Sequence, residues 1–255
     1  MKIVKNNESF IILENDTLPT TKWFLQNIDK WEPETFHIFD HYKNNDGVYI
    51  DIGAWIGPTV LYCANMYKKV IAIEPDPVAI VEFKKNMGVN NFTNIVLIEK
   101  GLSSENGVTQ FGGNGSLGNS ESTLLISDKE NYLSYHGRHT QCHTHNEIVE
   151  IETITIEKLI ESQNINPNNI SLIKIDIEGG EKILVPALVN FLNNYKPPFY
   201  ISLHRCFLRK IEIVNIIDIL FNIYDKCYHF STTGEKILVN KKIIQQKMLC
   251  SLVFE

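Results

Sequence analysis

The sequence predicts a doubly wound, Rossmann-like α/β fold with a mostly parallel seven-stranded sheet and helices on both faces. From residue 48 onward, short apolar segments alternate with segments of helical length, a pattern typical of parallel strands joined by helices. The last two apolar segments are separated by the turn-rich sequence STTGEK and a lysine-rich stretch. This arrangement predicts an antiparallel hairpin at one edge of the sheet.

The individual elements follow from the spacing of apolar residues and of turn formers. The predicted strands are Val48–Ile52, Val70–Ile73, Asn94–Ile98, Ser171–Ile177, Phe199–Leu203, Tyr228–Phe230 and Met248–Phe254. The predicted helices between them are Pro58–Met66, Pro77–Met87, Gly180–Phe191 and Ile211–Phe221. Pro58 falls near the first position of its helix, where the missing N–H of proline is harmless.

Two regions depart from this alternation. Residues 1–46 are expected to form an N-terminal cap, with a strand or hairpin over Lys2–Leu13 and one or two helices over Thr21–Tyr42, interrupted at Pro33. Residues 111–147 begin with a glycine- and serine-rich stretch and then lose periodicity. Because long loops in compact domains are usually lids or disordered segments, we expect a lid-like insert there within one domain over 47–255.

Composition limits the class of function. The chain has 255 residues with 44% hydrophobic and 21% charged residues, which is ordinary for a globular protein with a sizeable core. Its net charge of −6 and the absence of a basic run argue against nucleic acid as a partner. No apolar stretch is long enough for a membrane span, and the N-terminus is too polar for a signal peptide. We therefore expect a cytoplasmic protein with reduced cysteines; its oligomeric state is not predictable.

A nucleoside cofactor site is predicted at the ends of the first two strands. Asp51, Gly53 and Gly57 follow the first strand, and Glu74 ends the second. Such glycines let the backbone approach a nucleotide, and an acid at the next strand tip can accept both ribose hydroxyls. The G-x-G-x-x-G spacing of dinucleotide sites is absent, and Pro58 removes an N–H that a pyrophosphate would use. These features favour S-adenosylmethionine, which has no phosphate, over NAD.

Charged residues on a predicted central strand indicate the reaction centre. Lys174, Asp176 and Glu178 alternate along one face of strand Ser171–Ile177, although a central strand is normally apolar on both faces. Lys174 can neutralise part of the carboxylate charge, while Asp176 and Glu178 would project toward the methyl group and its acceptor. Asp176 or Glu178 is the first candidate for the general base, and His204, just after the next strand, is the other.

Three motifs in this order, DIGAWIG, IEPDP and KIDIEGGE, resemble those of FkbM-type methyltransferases within the class I S-adenosylmethionine-dependent superfamily. The resemblance covers roughly residues 48–188 and implies methyl transfer to a hydroxyl, often on a sugar or a secondary metabolite. The cofactor contacts expected with it are Asp51, Gly53, Ala54, Trp55, Gly57, Glu74, Asp76, Glu99, Lys100 and Gly101.

Metal binding is a minor alternative. Asp176, Glu178 and His204 are able to ligate a divalent metal that polarises an acceptor hydroxyl, but carboxylates beside Lys174 are more often an internal ion pair, so we expect no metal. A second group of potential ligands has no defensible zinc spacing and is expected to form a polar loop. This group comprises His136, His139, Cys142, His143 and His145.

The sequence therefore predicts an S-adenosylmethionine-dependent O-methyltransferase acting on a glycan or small-molecule hydroxyl, with S-adenosylhomocysteine as product. One alternative is a nicotinamide-dependent oxidoreductase or epimerase, which the glycine spacing disfavours. The other is a non-catalytic module that binds the cofactor or a partner protein. Neither the N-terminal region nor the insert contains a motif that identifies the acceptor.

Overall fold

A computed structural model describes residues 1–6, 8–14, 19–113, 116–120, 122–124 and 147–255 of the chain. The strands are β1 (Lys2–Lys5), β2 (Glu8–Ile11), β3 (Asn44–Ile52), β4 (Tyr67–Ile73), β5 (Ile95–Ile98), β6 (Gly101–Leu102), β7 (Gly107–Gly113), β8 (Ser122–Leu124), β9 (Ile148–Ile154), β10 (Ile170–Ile175), β11 (Phe199–Ser202), β12 (Cys227–Phe230), β13 (Lys236–Val239) and β14 (Ser251–Phe254). The helices are α1 (Pro19–Asn27), α2 (Pro33–Tyr42), α3 (Pro58–Cys63), α4 (Pro77–Asn90), α5 (Ile156–Ser162), α6 (Glu181–Tyr195), α7 (Lys210–Ile223) and α8 (Lys241–Lys247).

The central sheet confirms the predicted α/β class. Its strand order is β13-β12-β14-β11-β10-β3-β4-β5. The five strands from β5 to β11 pair in parallel, and the last three are antiparallel. The sheet has eight described strands where the sequence predicted seven, because Lys236–Val239 pairs along the outer edge of β12. This strand is short, and residues 237 and 238 within it are exposed.

The topology places a crevice at the middle of the sheet. β3 lies between β4 and β10, and the chain crosses from the β4–β5 side to β10 only after residue 154. Ligands of open parallel sheets bind at such a switch in strand order, outside the carboxyl ends of the strands. The predicted functional residues after β3, β4 and β10 therefore lie at one edge of the sheet.

Both faces of the sheet are buried, as expected for parallel strands. One face contributes Ile50, Ile173 and Phe199 to an apolar core that α6 and α7 cover. Tyr49 and Leu172 point to the opposite core. This alternation of successive side chains explains why both sets of positions are apolar in the sequence.

The N-terminal segment packs on the second core. Residues 2–11 form an antiparallel hairpin, β1 with β2, and residues 19–42 form two helices, as expected. Pro33 begins α2 instead of interrupting a helix, because its missing N–H has no intrahelical partner in the first turn. Phe24, Phe36 and Phe39 of these helices are fully buried, so the segment is part of the folded core.

A second, smaller sheet with strand order β6-β9-β7-β8 lies beside the central one. The sequence interpretation missed its strands because they are short, glycine-containing and partly solvent-facing, with Val108 and Ile148 exposed. The start of the expected insert is therefore the end of β7, and residues 122–124 form β8. The histidine-rich group at 136–145 lies outside the described residues. Among the described helices, none has the length and apolar character that crossing a membrane requires.

Candidate active site

Asp51 ends β3 and is fully buried. Its Oδ2 accepts hydrogen bonds from the Tyr49 hydroxyl at 2.8 Å and from the Thr59 hydroxyl at 2.6 Å. Its Oδ1 accepts one from Lys174 Nζ at 3.1 Å. The carboxylate therefore joins β3, α3 and β10.

Gly53 and Gly57 are each required to be glycine, for different structural reasons. Gly53 has φ +88°, and a Cβ there would lie 1.9 Å from the backbone oxygen of Asp176, so only glycine lets the two strand ends approach. Gly57 has φ +89°, and a Cβ there would lie 2.2 Å from the Phe83 ring. Gly57 therefore permits α3 to pack against α4, whereas Gly53 faces the crevice.

Glu74 ends β4 and is buried, with backbone partners on both oxygens. Oε2 accepts the N–H of Trp55 at 2.7 Å, and Oε1 accepts the N–H of Asp76 at 2.8 Å. Burial raises the pKa of Glu74 to about 7, although these two hydrogen bonds oppose the rise. Each carboxylate oxygen has further lone-pair capacity, so a ribose diol still finds acceptors here.

Asp76 and Trp55 attach the start of the insert to the cofactor loops. Asp76 Oδ1 caps α4 by accepting the N–H groups of residues 78 and 79, and its Oδ2 accepts the N–H of Gly118 at 2.7 Å. Trp55 Nε1 donates to the carbonyl of Gly118 at 2.9 Å. Burial raises the pKa of Asp76. Gly118 is thus held from both sides, a contact that no sequence motif indicated.

These loops line a cleft that, together with the open solvent at its mouth, contains about 570 Å³ of empty space. Its lining includes Gly53, Trp55, Glu74, Asp76, Gly101, Asn119, Ser120, Ser122, Thr123, Leu124, Asp176 and Glu178. The cleft therefore brings together the ends of β3, β4 and β10 with residues of the insert.

Other expected cofactor residues lie outside this lining. Ala54 is buried in the core below the loop. Glu99 forms an ion pair with Lys84 at 2.7 Å, and Lys100 forms one with Glu152 at 2.5 Å, both at the surface. Of Glu99, Lys100 and Gly101, Gly101 lines the cleft, and a Cβ there would lie 3.0 Å from the side chains of residues 124 and 151.

A tight turn after β10 presents the second acid group. Glu178 has φ +52° and Gly179 has φ +96°. The buried carboxylate of Glu181 accepts the N–H of Ile177 at 3.1 Å and that of Gly179 at 2.8 Å. These bonds hold the turn in its left-handed conformation and direct both Asp176 and Glu178 to the cleft.

Lys174 is the buried cation of the site, with a side chain only 2% exposed. Its Nζ lies 3.1 Å from Asp51 and 3.3 Å from Asp176. Burial acts to lower the pKa of Lys174, but the two carboxylates outweigh it and raise the pKa. Lys174 is therefore a permanent positive charge between two acids.

His204 completes the group. Its Nε2 lies 3.6 Å from Asp176 Oδ1, and its Nδ1 lies 3.3 Å from Glu178 Oε2. Burial acts to raise the pKa of Asp176, but Lys174 and His204 lower it further than burial raises it. One ligand atom from each of Asp176, Glu178 and His204 lies within 4.8 Å of the others, a spacing that is able to hold a metal ion.

Sequence reasoning assigned no role to Glu32, which precedes α2. Its Oε2 accepts a hydrogen bond from the Thr35 hydroxyl at 3.0 Å, and Thr35 shares a 2.7 Å hydrogen bond with the Tyr200 hydroxyl. Burial raises the pKa of Glu32 to about 8, and the negative charge of Asp176 adds to the rise. No motif marks Glu32, since only the tertiary structure places it near β10.

The comparison with protein families decides the identity of the chain. The model of the methyltransferase FkbM domain matches residues 51–204, more than half of the chain. The chain belongs to the FkbM methyltransferase family. The segment of this FkbM-family protein that matches the model begins at Asp51 and ends at His204.

Individual relatives are more distant. "Methyltransferase 1" of Beauveria bassiana is 28% identical over 155 residues, which cover 56% of this chain and 59% of that protein. A crystal structure of methyltransferase FkbM from Methylobacillus flagellatus is 15% identical with a TM-score of 0.49, covering 96% of this chain and 56% of that one. A putative methyltransferase from Streptococcus mutans in complex with SAH is 10% identical with a TM-score of 0.44, covering 86% and 94%.

Proposed function

We propose that this FkbM-family protein transfers the methyl group of S-adenosylmethionine to a hydroxyl oxygen of a sugar, a glycan or a small metabolite. One observation carries the proposal. The cleft lined by Gly53 and Glu74 is also lined by Asp176 and Glu178, and His204 lies directly behind these two carboxylates. A nucleoside pocket and a proton-accepting group therefore share one space.

The residues of the cleft fit the cofactor. Gly53 provides a surface without a Cβ, and Glu74 provides acceptors for the two ribose hydroxyls. Trp55 and Gly101 complete the wall around the nucleoside. When bound, S-adenosylmethionine supplies an electrophilic methyl carbon, so the protein has to orient an acceptor hydroxyl and receive its proton.

Asp176 orients the acceptor hydroxyl, and His204 receives its proton. Asp176 Oδ1 accepts the hydrogen bond of the acceptor hydroxyl and aims its oxygen at the cleft. Burial acts to raise the pKa of Asp176, but Lys174 is chief among the groups that lower it below its usual value, so Asp176 is a weak base. The proton therefore passes to Nε2 of the neighbouring His204 as the carbon–oxygen bond forms, while Glu178 faces Nδ1 and stabilises the imidazolium.

Two measurements test the function. Calorimetric titration is expected to show micromolar binding of S-adenosylmethionine and S-adenosylhomocysteine and no binding of NAD. Incubation with methyl-labelled cofactor and a panel of methyl glycosides, alditols and phenols is then expected to yield methyl ethers, detected by mass spectrometry. Cofactor binding with no product from any acceptor would instead support the non-catalytic cofactor-binding alternative.

The same assay addresses the metal alternative. We expect full activity after dialysis against EDTA, because Lys174 already balances the charge of Asp176. Loss of activity in EDTA, with recovery on adding Mg²⁺ or Mn²⁺, would assign Asp176, Glu178 and His204 to a metal ion instead.

A further inference from the structure

We propose that Glu32 contacts the methyl acceptor and selects acceptors that carry a second oxygen beside the hydroxyl that is methylated. The proposal rests on the proposed function, since it concerns the acceptor side of the same group of residues. It names the substrate class more narrowly, as sugars and other vicinal polyols. It also assigns a site residue to the N-terminal segment, outside residues 51–204 that match the family model.

The position of Glu32 follows from the strand order. The cofactor cleft lies over β3 and β4, and Asp176 follows β10. β11 pairs with β10 on the side away from β3, with Tyr200 opposite Lys174 in the register. Thr35 joins Glu32 to the hydroxyl of Tyr200. An acceptor that reaches Asp176 from the side not taken by the cofactor therefore approaches Glu32.

The protein holds Glu32 in an unusual backbone conformation. Its φ of 42° and ψ of 55° are left-handed, a conformation that costs free energy for a residue other than glycine or asparagine. The neighbouring Trp31 packs edge-to-face on Phe24 and Phe36, and the Thr35 N–H donates to the Glu32 carbonyl at 3.0 Å. The surrounding contacts thus impose the conformation, although a helix start requires no glutamate there.

The charge environment makes Glu32 a hydrogen-bond donor. The charged groups that act on it are Asp176 and Lys174 of β10 and Glu34 of α2. Burial and Asp176 raise the pKa of Glu32 to about 8, and Lys174 offsets only part of that rise. A carboxyl that keeps its proton at neutral pH offers one O–H donor, whereas Asp176 offers only acceptors. Thr35 contacts only Oε2, which leaves Oε1 for a ligand.

This pair of groups matches a vicinal diol. Asp176 accepts from the hydroxyl that is methylated, and the Glu32 carboxyl donates to the adjacent oxygen. An acceptor without the adjacent oxygen would leave the Glu32 proton without a partner. Burying an unpaired donor costs binding free energy, so such an acceptor should bind more weakly.

The test compares Glu32→Ala and Glu32→Gln with a control, Glu157→Gln, which changes an exposed glutamate in the first turn of α5. Each enzyme is assayed with a methyl glycoside that the wild type methylates and with its analogue lacking the adjacent hydroxyl. For Glu32→Ala we expect KM for the glycoside to rise about tenfold, KM for the deoxy analogue to stay within twofold, and cofactor Kd to stay unchanged. Glu157→Gln is expected to match the wild type in all three.

A pH series separates a ligand contact from a structural role. In the wild type, KM for the glycoside should rise above pH 8 as Glu32 loses its donor proton. Glu32→Gln keeps an N–H donor and does not titrate, so its KM should stay low and lose this dependence. Equal effects on the glycoside and the deoxy analogue, or an unchanged pH dependence in Glu32→Gln, would overturn the proposal. A wild-type enzyme that binds cofactor but methylates no hydroxyl would instead overturn the proposed function, and this proposal with it.

Discussion

The two sides of the cleft hold their carboxylates in different ways. On the cofactor side, backbone N–H groups hold Glu74 and Asp76, each of them through both carboxylate oxygens. On the proposed acceptor side, the Asp176 carboxylate lies 3.3 Å from the Lys174 ammonium and 3.6 Å from His204 Nε2. Backbone dipoles do not titrate, so the cofactor side has a fixed geometry, whereas removing one charge on the acceptor side changes the protonation of its neighbours.

The largest expected effect tests the cooperation of charges on the acceptor side. Asp176→Asn and His204→Asn should each lower kcat about 10²- to 10⁴-fold, the usual contribution of proton transfer, while cofactor Kd stays within threefold. The double variant should be little worse than either single one, because the two residues act as a unit. Steady-state kinetics of the three variants measures this.

Asp218→Asn, which removes an acid from an ion pair with Lys241 far from the cleft, is the control and should retain wild-type kcat. If the losses in kcat of the two single variants multiply in the double variant, Asp176 and His204 act independently. That result would contradict a proton transfer shared by the two residues.

Removing Lys174, the cation that balances the carboxylates on the acceptor side, should mainly lower the free energy of unfolding. Lys174→Met leaves two buried carboxylates uncompensated, and breaking a buried pair in this way typically costs about 3–5 kcal/mol of unfolding free energy. Urea unfolding followed by circular dichroism measures the loss. Lys158→Met removes an exposed lysine from a surface pair and should unfold like the wild type; similar midpoints for the two variants would refute the structural role of Lys174.

The fixed cofactor side can be tested with a pair of glycines. Gly53→Ala forces a side chain into a left-handed conformation, at about 1–2 kcal/mol, and against the backbone of Asp176, so both stability and cofactor affinity should fall. Gly88 lies within α4 with open space around it, so Gly88→Ala should stabilise the protein by about 0.5–1 kcal/mol. Thermal melting and cofactor titration compare the two variants. Equal changes in melting temperature and in cofactor Kd would contradict the close approach of the backbone at Gly53.

The smallest effect is a pH dependence of nucleoside binding. Because burial raises the pKa of Glu74 to about 7, its carboxyl gains charge between pH 6 and 8 and becomes a better acceptor for ribose hydroxyls. Affinity for 5′-methylthioadenosine, which lacks the titrating amino group of the cofactor, should therefore rise several-fold over this range. Glu74→Gln should bind weakly at every pH. A flat profile in the wild type would show that Glu74 does not change charge there.

Buried parallel strands were predictable from the sequence, whereas short or exposed strands and contacts between distant elements were not. The strands that end in functional residues, such as Val70–Ile73 and Phe199–Leu203, were predicted within a few residues of β4 and β11, because a buried parallel strand needs a continuous apolar run. The strands β6–β9 and β13 were missed, since they are short or half-exposed. The placement of Gly57 and Lys100 outside the cleft was not predictable either, because both follow from packing against distant elements.

The amino-acid sequence by itself determined the α/β class, the order of the three motifs and the family, because strand periodicity and motif spacing are local properties of the chain. Only the tertiary structure decided that Asp51 is enclosed by protein partners, that Gly118 is bound by Asp76, and that Thr35 joins Glu32 to Tyr200. Burial and neighbouring charge set these roles, and both depend on segments that are far apart in the chain.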